Sequence, residues 1–315
     1  MIISTLQLEE PYRSELDAAA AGQEVHHCAL AQLSDDALAK VQAVFSYGAD
    51  LSGDVLDNMP ALRWIHIGQS GMEHLPMSLL AERGIVLTNS RGINSVAISE
   101  YVLCMMLNVV RRHDAFYESQ RARRWNLDTR LDELCGKTVG ILGLGKVGAE
   151  IALRADAFGM RVLGMDVIQK CVPHVEHVYL PQERCEMFAQ CDFIVICMPL
   201  TPDTKHLIAS QELSSMKPSA WVINVGRGAI LQQSDLLSAL EANQIGGAVL
   251  DVFEEEPLPP ENALWGLSNV RITPHIAGDH LASYMPRMMK ILCSNLRLYP
   301  DFSAMENLVD TSRGF

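Results

Sequence analysis

The chain has 315 residues, 49% of them hydrophobic, and a formal net charge of -13. That length exceeds what a single hydrophobic core usually serves, so two domains are expected, each well supplied with apolar side chains. The acidic balance argues against a polyanion such as nucleic acid as the main partner, because phosphate backbones are gripped chiefly through Lys and Arg.

The opening "MIISTLQLEEPYRSE" has no basic segment and turns acidic, so no secretory signal is expected. The first part then alternates β-branched runs with helical segments: "MIIST", "AVFSYG" (43–48), "LRWIHIG" (62–68) and "GIVLTNS" (84–90). Strands recurring with helices between them indicate parallel βαβ units. A helix follows over 95–110, with Ile98, Val102, Met105 and Val109 on one face. It carries Glu100 and is shorter than the roughly 20 apolar residues a membrane span needs. The basic stretch "RRHDAFYESQRARRW" (111–125) reads as the charged wet face of a long helix, and a polar connector runs over about 119–136.

The alternation then restarts, with strands expected at Thr138–Leu142, Arg161–Met165, Phe193–Cys197, Ala220–Asn224, Ala248–Leu250 and Val270–Thr273. Apolar runs such as "DFIVICMP" suit a sheet covered on both faces. A last helix is expected over 280–299, with Leu281, Met285, Met288 and Leu292 on one side and a kink at Pro286. The 8 cysteines (28, 104, 135, 171, 185, 191, 197, 293) lack CxxC spacing, and several lie in apolar runs; they read as thiols of a reducing, cytoplasmic compartment.

Between the strand "TVGIL" and the helix "KVGAEIALRADAFG" stands Gly143-x-Gly145-x-x-Gly148. In such a turn the first glycine permits the bend, the second admits a pyrophosphate and the third lets helix pack on strand. Gly159 is expected to end the helix, and Asp166 closes the next strand, 23 residues after Gly143 and placed for a ribose 2'-hydroxyl. Its carboxylate would repel a 2'-phosphate, and "VIQK" puts no cation immediately beside it, so NAD is expected over NADP; Lys170 is the residue that could reverse this.

Three polar segments follow later strands: "NVGRGAIL" (224–231), "LDVFEEEPLP" (250–259) and "ITPHIAG" (272–278). In a doubly wound sheet, strand carboxyl ends line the ligand crevice. Arg227, between Gly226 and Gly228, offers a guanidinium fork for a carboxylate and the adjacent carbonyl oxygen, with a surface arginine as the plain alternative. His275 at a strand end is a candidate proton donor and acceptor near neutrality. A carboxylate on its remote ring nitrogen would favour the imidazolium and fix the ring; Glu256 is the candidate, although spacing alone does not choose among Glu254, Glu255 and Glu256. His26, His27, His66, His113, His174, His177 and His206 read as surface or packing residues, while His74 and His280 lie near proposed site loops. No metal-ligand spacing and no GxSxG turn is present in the sequence.

These segments, with "CMPLTPDTKHLI" (197–208), resemble the D-isomer-specific 2-hydroxyacid dehydrogenase family over about residues 85–285. The resemblance implies an α/β fold in which a Rossmann-type cofactor domain with a parallel sheet (100–281) is inserted in a flavodoxin-like substrate domain (1–99 and 282–315), the cleft between them closing by hinge motion. It assigns Arg227, Glu256 and His275 to catalysis. It implies cofactor contacts at Gly143, Leu144, Gly145, Lys146, Val147, Gly148, Asp166, Pro199, Thr204, Val225, Gly226, Asp251, His275 and Gly278. "GQSGMEHL" (68–75) is similar to the loop that receives the substrate carboxylate, at Ser70, Gly71 and Met72, with Glu73 where Asp is common. Arg91 is expected to pair with an acid across the domain junction, with the tail of an acidic substrate as the alternative. Tyr47, Met72, Arg91, Trp125 and residues near Met285 would shape the side-chain pocket.

The implied activity is NAD-dependent interconversion of a 2-keto acid and a D-2-hydroxy acid by a homodimer. A second class, an NAD(H)-responsive corepressor-like interaction protein, shares the fold, but the chain lacks Pro- or Ser-rich extensions. Formate, phosphite and 3-phosphoglycerate are further substrates in related enzymes; with so short a C-terminus, the regulatory domains that some phosphoglycerate enzymes append are not expected.

Overall fold

The computed structural model describes residues 1–72, 74–125, 131–279 and 281–311. Expectations for Glu73 and His280 therefore lie outside the described residues. The chain divides into two compact units, 1–93 with 280–315, and 94–279.

The first unit is built on β1 (Ile2–Ser4), β2 (Val25–His27), β3 (Ala43–Ser46), β4 (Trp64–Ile67) and β5 (Val86–Asn89). All pairs are parallel in the order β2-β1-β3-β4-β5, the flavodoxin-like arrangement. Buried residues fill both faces: Phe45, Trp64 and the helix Leu281–Leu298 on one side, Val44, Ile65, Ile67 and Leu87 on the other. That helix runs through Pro286, and among the described residues its buried apolar side chains are Met288, Met289, Leu292, Cys293 and Leu296, with Asn295 buried beside them.

The second unit contains β6 (Thr138–Leu142), β7 (Arg161–Met165), β8 (His177–Tyr179), β9 (Phe193–Ile196), β10 (Trp221–Asn224), β11 (Gly247–Leu250) and β12 (Val270–Ile272). They form a parallel sheet in the order β12-β11-β10-β9-β6-β7-β8. Strand order reverses between β6 and β9, and at such a switch point helices leave in opposite directions and open a crevice. β2 and β8 are absent from the sequence reading: each is a three-residue edge strand, and their sequences, VHH and HVY, carry no continuous apolar run.

The helix Ser95–Arg111 belongs to the second unit, and its buried face is Ser95, Ser99, Val102, Leu103, Met106 and Val110. The period is as expected and Val102 is buried as expected, but Ile98, Met105 and Val109 are only partly buried, and the rest of the inward line lies one residue later. Small partners explain the shift: Ala152 and Ala155 of the helix Lys146–Ala157 let the two helices approach, and Ser99 satisfies its hydroxyl on the Val96 carbonyl at 2.7 Å. The basic stretch is not one long helix. Arg112 adopts a left-handed conformation (φ 52°) and a separate helix, His113–Arg121, begins after it.

One buried ion pair supports this unit. Glu212, 3% exposed, accepts from Arg184 Nη2 at 2.7 Å and Nε at 3.1 Å, and from the Ala209 N–H at 3.0 Å. Removing one partner strands the other charge, so Glu212→Ala is expected to lower unfolding free energy by about 3 kcal/mol in a denaturant titration.

Candidate active site

The three glycines after β6 serve different purposes. Gly143 has φ 96°, and a Cβ there would lie 2.8 Å from the Met198 Cβ beyond β9. A Cβ on Gly148 would lie 2.1 Å from the Gly143 oxygen, so this glycine lets the helix sit on the turn. Gly145 is exposed, precedes the helix Lys146–Ala157, and a Cβ on it would meet nothing within 4 Å. That clear approach to a helix N-terminus fits a dinucleotide pyrophosphate: backbone N–H groups and helix dipole face open space.

At the end of β7 the Asp166 carboxylate is held by the Leu144 N–H at 3.2 Å and the Val167 N–H at 2.8 Å. Leu144 uses its side chain in the core against Gly164 and its N–H on Asp166. The expectation that no cation stands immediately beside Asp166 is corrected: Lys170 folds back to place Nζ 2.8 Å from Oδ2. Four residues of turn suffice to return that long side chain to the strand end. Lys146 is exposed at the first helical position and Val147 half-buried. Thr204 closes its own loop, donating to the Pro199 carbonyl at 2.8 Å.

After β10, buried Asn224 clamps the next loop: its Oδ1 accepts from the Gly226 N–H at 3.1 Å and its Nδ2 donates to the Arg227 carbonyl at 3.1 Å. Asn224 is not among the residues expected at the site; its signal in the sequence is an amide at a strand end directly before Val225 and the Gly-Arg-Gly triplet. Neither Gly226 nor Gly228 has a positive φ, so flexibility is not their role. A Cβ on Gly226 would lie 3.0 Å from the Met198 oxygen. A Cβ on Gly228 would stand 1.9 Å from the Phe253 carbonyl carbon, so this glycine lets the Arg227 loop press directly on the segment leading to Glu256. Arg227 is half-buried, and its Nη1 donates to the Gly226 carbonyl at 2.9 Å.

The structure selects among the three glutamates. Glu256 Oε2 lies 2.7 Å from His275 Nδ1, and Oε1 accepts from the Phe253 N–H at 2.9 Å. Glu254 instead pairs with His206 Nε2 at 3.2 Å, and Glu255 is exposed. With its carboxylate acceptor, Nδ1 carries a proton; the His275 side chain is 51% exposed. Asp251, 2% exposed, accepts from Thr273 Oγ1 at 2.6 Å and from the N–H groups of Ile276 and Ala277, both at 2.9 Å. Gly278 ends this loop; a Cβ there would lie 3.1 Å from Asn94 Nδ2. Trp125 is 92% exposed.

In the first unit, Ser70, Gly71 and Met72 follow β4, half-buried. Asn89 Nδ2 donates to the Ser70 carbonyl at 3.3 Å, and Asn89 Oδ1 accepts from the Arg91 N–H at 3.1 Å, so one amide ties both segments together. Arg91 is exposed, and its carbonyl accepts from Asn307 Nδ2 at 2.8 Å. Tyr284 OH donates to the Gly68 carbonyl at 2.8 Å, with Tyr47 beside it. His74 is exposed.

The family model described as "D-isomer specific 2-hydroxyacid dehydrogenase, NAD binding domain" matches residues 103–277. The chain belongs to the D-isomer specific 2-hydroxyacid dehydrogenase family. The glyoxylate reductase of Thermococcus gammatolerans is 34% identical over 272 residues, covering 82% of this chain and 80% of that one. The D-3-phosphoglycerate dehydrogenase of Methanocaldococcus jannaschii is 34% identical over 230 residues, which cover 72% of this chain and 44% of the relative, so the match spans less than half of that protein. Among solved structures, an NADPH-dependent glyoxylate/hydroxypyruvate reductase of Sinorhizobium meliloti, in complex with NADP and sulfate, superposes with TM-score 0.81 at 26% identity, covering 100% of this chain and 99% of the other. Family membership brings oxidoreductase chemistry and a nicotinamide dinucleotide-binding domain. Among the described residues no helix is long and apolar enough to cross a membrane, and no group of three or more His, Cys, Asp or Glu side chains could hold a metal ion.

Proposed function

We propose that this chain interconverts a 2-keto acid and a D-2-hydroxy acid, with 94–279 as the cofactor domain and 1–93 plus 280–315 as the substrate domain. The observation that carries the reading is the 2.7 Å pair of His275 Nδ1 and Glu256 Oε2, which leaves Nε2 outward on the carboxyl edge of a dinucleotide-type sheet. When bound, the nicotinamide supplies the hydride. Arg227 grips the keto acid carboxylate and steadies negative charge growing on the carbonyl oxygen. His275 gives that oxygen the Nε2 proton in reduction and takes it back in oxidation, while Glu256 balances the imidazolium. Ser70, Gly71 and Met72 would offer N–H groups to the carboxylate, and Arg91 would pair with an acid across the domain junction or, alternatively, meet the tail of an acidic substrate.

NAD is the preferred cofactor in this reading, because the Asp166 carboxylate disfavours a 2'-phosphate, with Lys170 narrowing the preference. Free cysteines support a cytoplasmic setting, and exposed Tyr117 and Trp125 support association into a homodimer. The test is an NADH and NADPH oxidation panel against glyoxylate, hydroxypyruvate, pyruvate and bulkier keto acids. Expected are turnover with at least one of them, NADH ahead of NADPH in kcat/KM, and a gap that widens about threefold in Lys170→Ala, the worth of one exposed charge contact. No turnover with any keto acid would overturn the activity, and NADPH preference would overturn the role of Asp166.

A further inference from the structure

We propose that the Tyr101 hydroxyl is a positioning group for His275, acting through Thr273 and Asp251; the inference rests on the acid-base role given to His275 above. Its basis is the conformation of the loop after β12. His275 has φ 56°, a left-handed backbone that a side chain other than glycine keeps only where its surroundings over-determine it. Here they do. The His275 N–H donates to the Asp251 carbonyl at 2.8 Å, while the Asp251 carboxylate accepts from Ile276, Ala277 and the Thr273 hydroxyl. The loop is wrapped around one buried acid.

Tyr101 OH stands 2.6 Å from Thr273 Oγ1. Thr273 spends its only proton on Asp251, so Tyr101 must be the donor, and the chain of donation runs Tyr101 to Thr273 to Asp251. Burial pushes the Tyr101 phenol up to about 12, so it holds its proton throughout the working range. The donor sits in the first half of the helix Ser95–Arg111, whose packing against Ile151, Ala152 and Ala155 makes it a fixed post. The loop's exposed tip, carrying the Nε2 that must meet a carbonyl oxygen, is thereby referenced to a helix rather than to solvent. Small errors in such placement are costly to rate, and they fall on kcat rather than on cofactor affinity.

The experiment compares Tyr101→Phe, Thr273→Val, Thr273→Ser and the Tyr101→Phe/Thr273→Val double variant in the full chain. Tyr101→Phe and Thr273→Val are each expected to lower kcat about tenfold, with NADH affinity held within about twofold. Thr273→Ser, which restores the hydroxyl, recovers most of the loss, and the double variant is no worse than Thr273→Val because both break the same chain. An activity-independent measurement is the proton NMR signal of the His275 Nδ1–H bonded to Glu256. It is expected to be sharp in the parent and in Thr273→Ser, and broadened in Tyr101→Phe and Thr273→Val. If no keto acid is turned over, the proposed activity fails while this signal still decides the positioning role. An unchanged signal in Tyr101→Phe would overturn the proposal. So would a fall in kcat matched by equal loss of NADH affinity and not rescued by Thr273→Ser, since that pattern marks general loosening.

Discussion

His275→Ala is expected to lower keto acid reduction by about a thousandfold, the scale set by removing a positioned general acid. NADH binding, followed by fluorescence titration, should stay near the parental value, because the open glycine turn and Asp166 are built from β6 and β7 and their loops. Half of the imidazole is exposed, so little packing is lost and thermal stability should barely move. Alanine is itself strained at the positive φ of this position, whereas asparagine tolerates it. His275→Asn therefore serves as the backbone control, and both variants should lose the same activity. Near-parental turnover in either would remove the imidazole from the mechanism.

The second large effect concerns a residue with no functional group. Gly228→Ala would place a methyl 1.9 Å from the Phe253 carbonyl carbon and 2.0 Å from its oxygen, distances at which backbone must move. The two segments forced apart carry Arg227 and Glu256, the proposed carboxylate grip and the proposed support of His275. Displacement near 1 Å lowers rate by about a hundredfold, and overpacking costs about 1–3 kcal/mol in stability. Steady-state kinetics should show kcat falling and the keto acid KM rising together. Parental kinetics, or a loss confined to stability, would mean the neighbouring segment yields without disturbing either group.

Much of the architecture is legible in the amino-acid order because apolar runs of four or five residues mark central strands, and every expected strand of the second sheet is present to within a residue or two. The edge strands β2 and β8 are not, since a three-residue edge buried on few sides needs no continuous apolar run. The helix 95–111 shows how periodicity identifies a face only to within one position when small residues let a neighbour approach off-centre. At the site, residue types point to Arg227 and His275, but spacing cannot separate Glu256 from Glu254. That distinction depends on the Phe253 N–H that turns one carboxylate toward the ring and on His206 drawing the other away. Lys170 returns to Asp166 through a turn whose sequence, Val-Ile-Gln, has no signature. The tie from Tyr101 to Thr273 spans 172 positions and has no sequence signal.

The strand order of the larger sheet also creates a division of labour. Asp166 and Lys170 follow β7, while His275 follows β12, and four strands intervene. At roughly 4.8 Å per strand these two stations lie on the order of 24 Å apart along the carboxyl edge. Under the proposed roles, nucleotide preference would be set at one end of the sheet and proton delivery at the other, so each could be edited without retuning its counterpart.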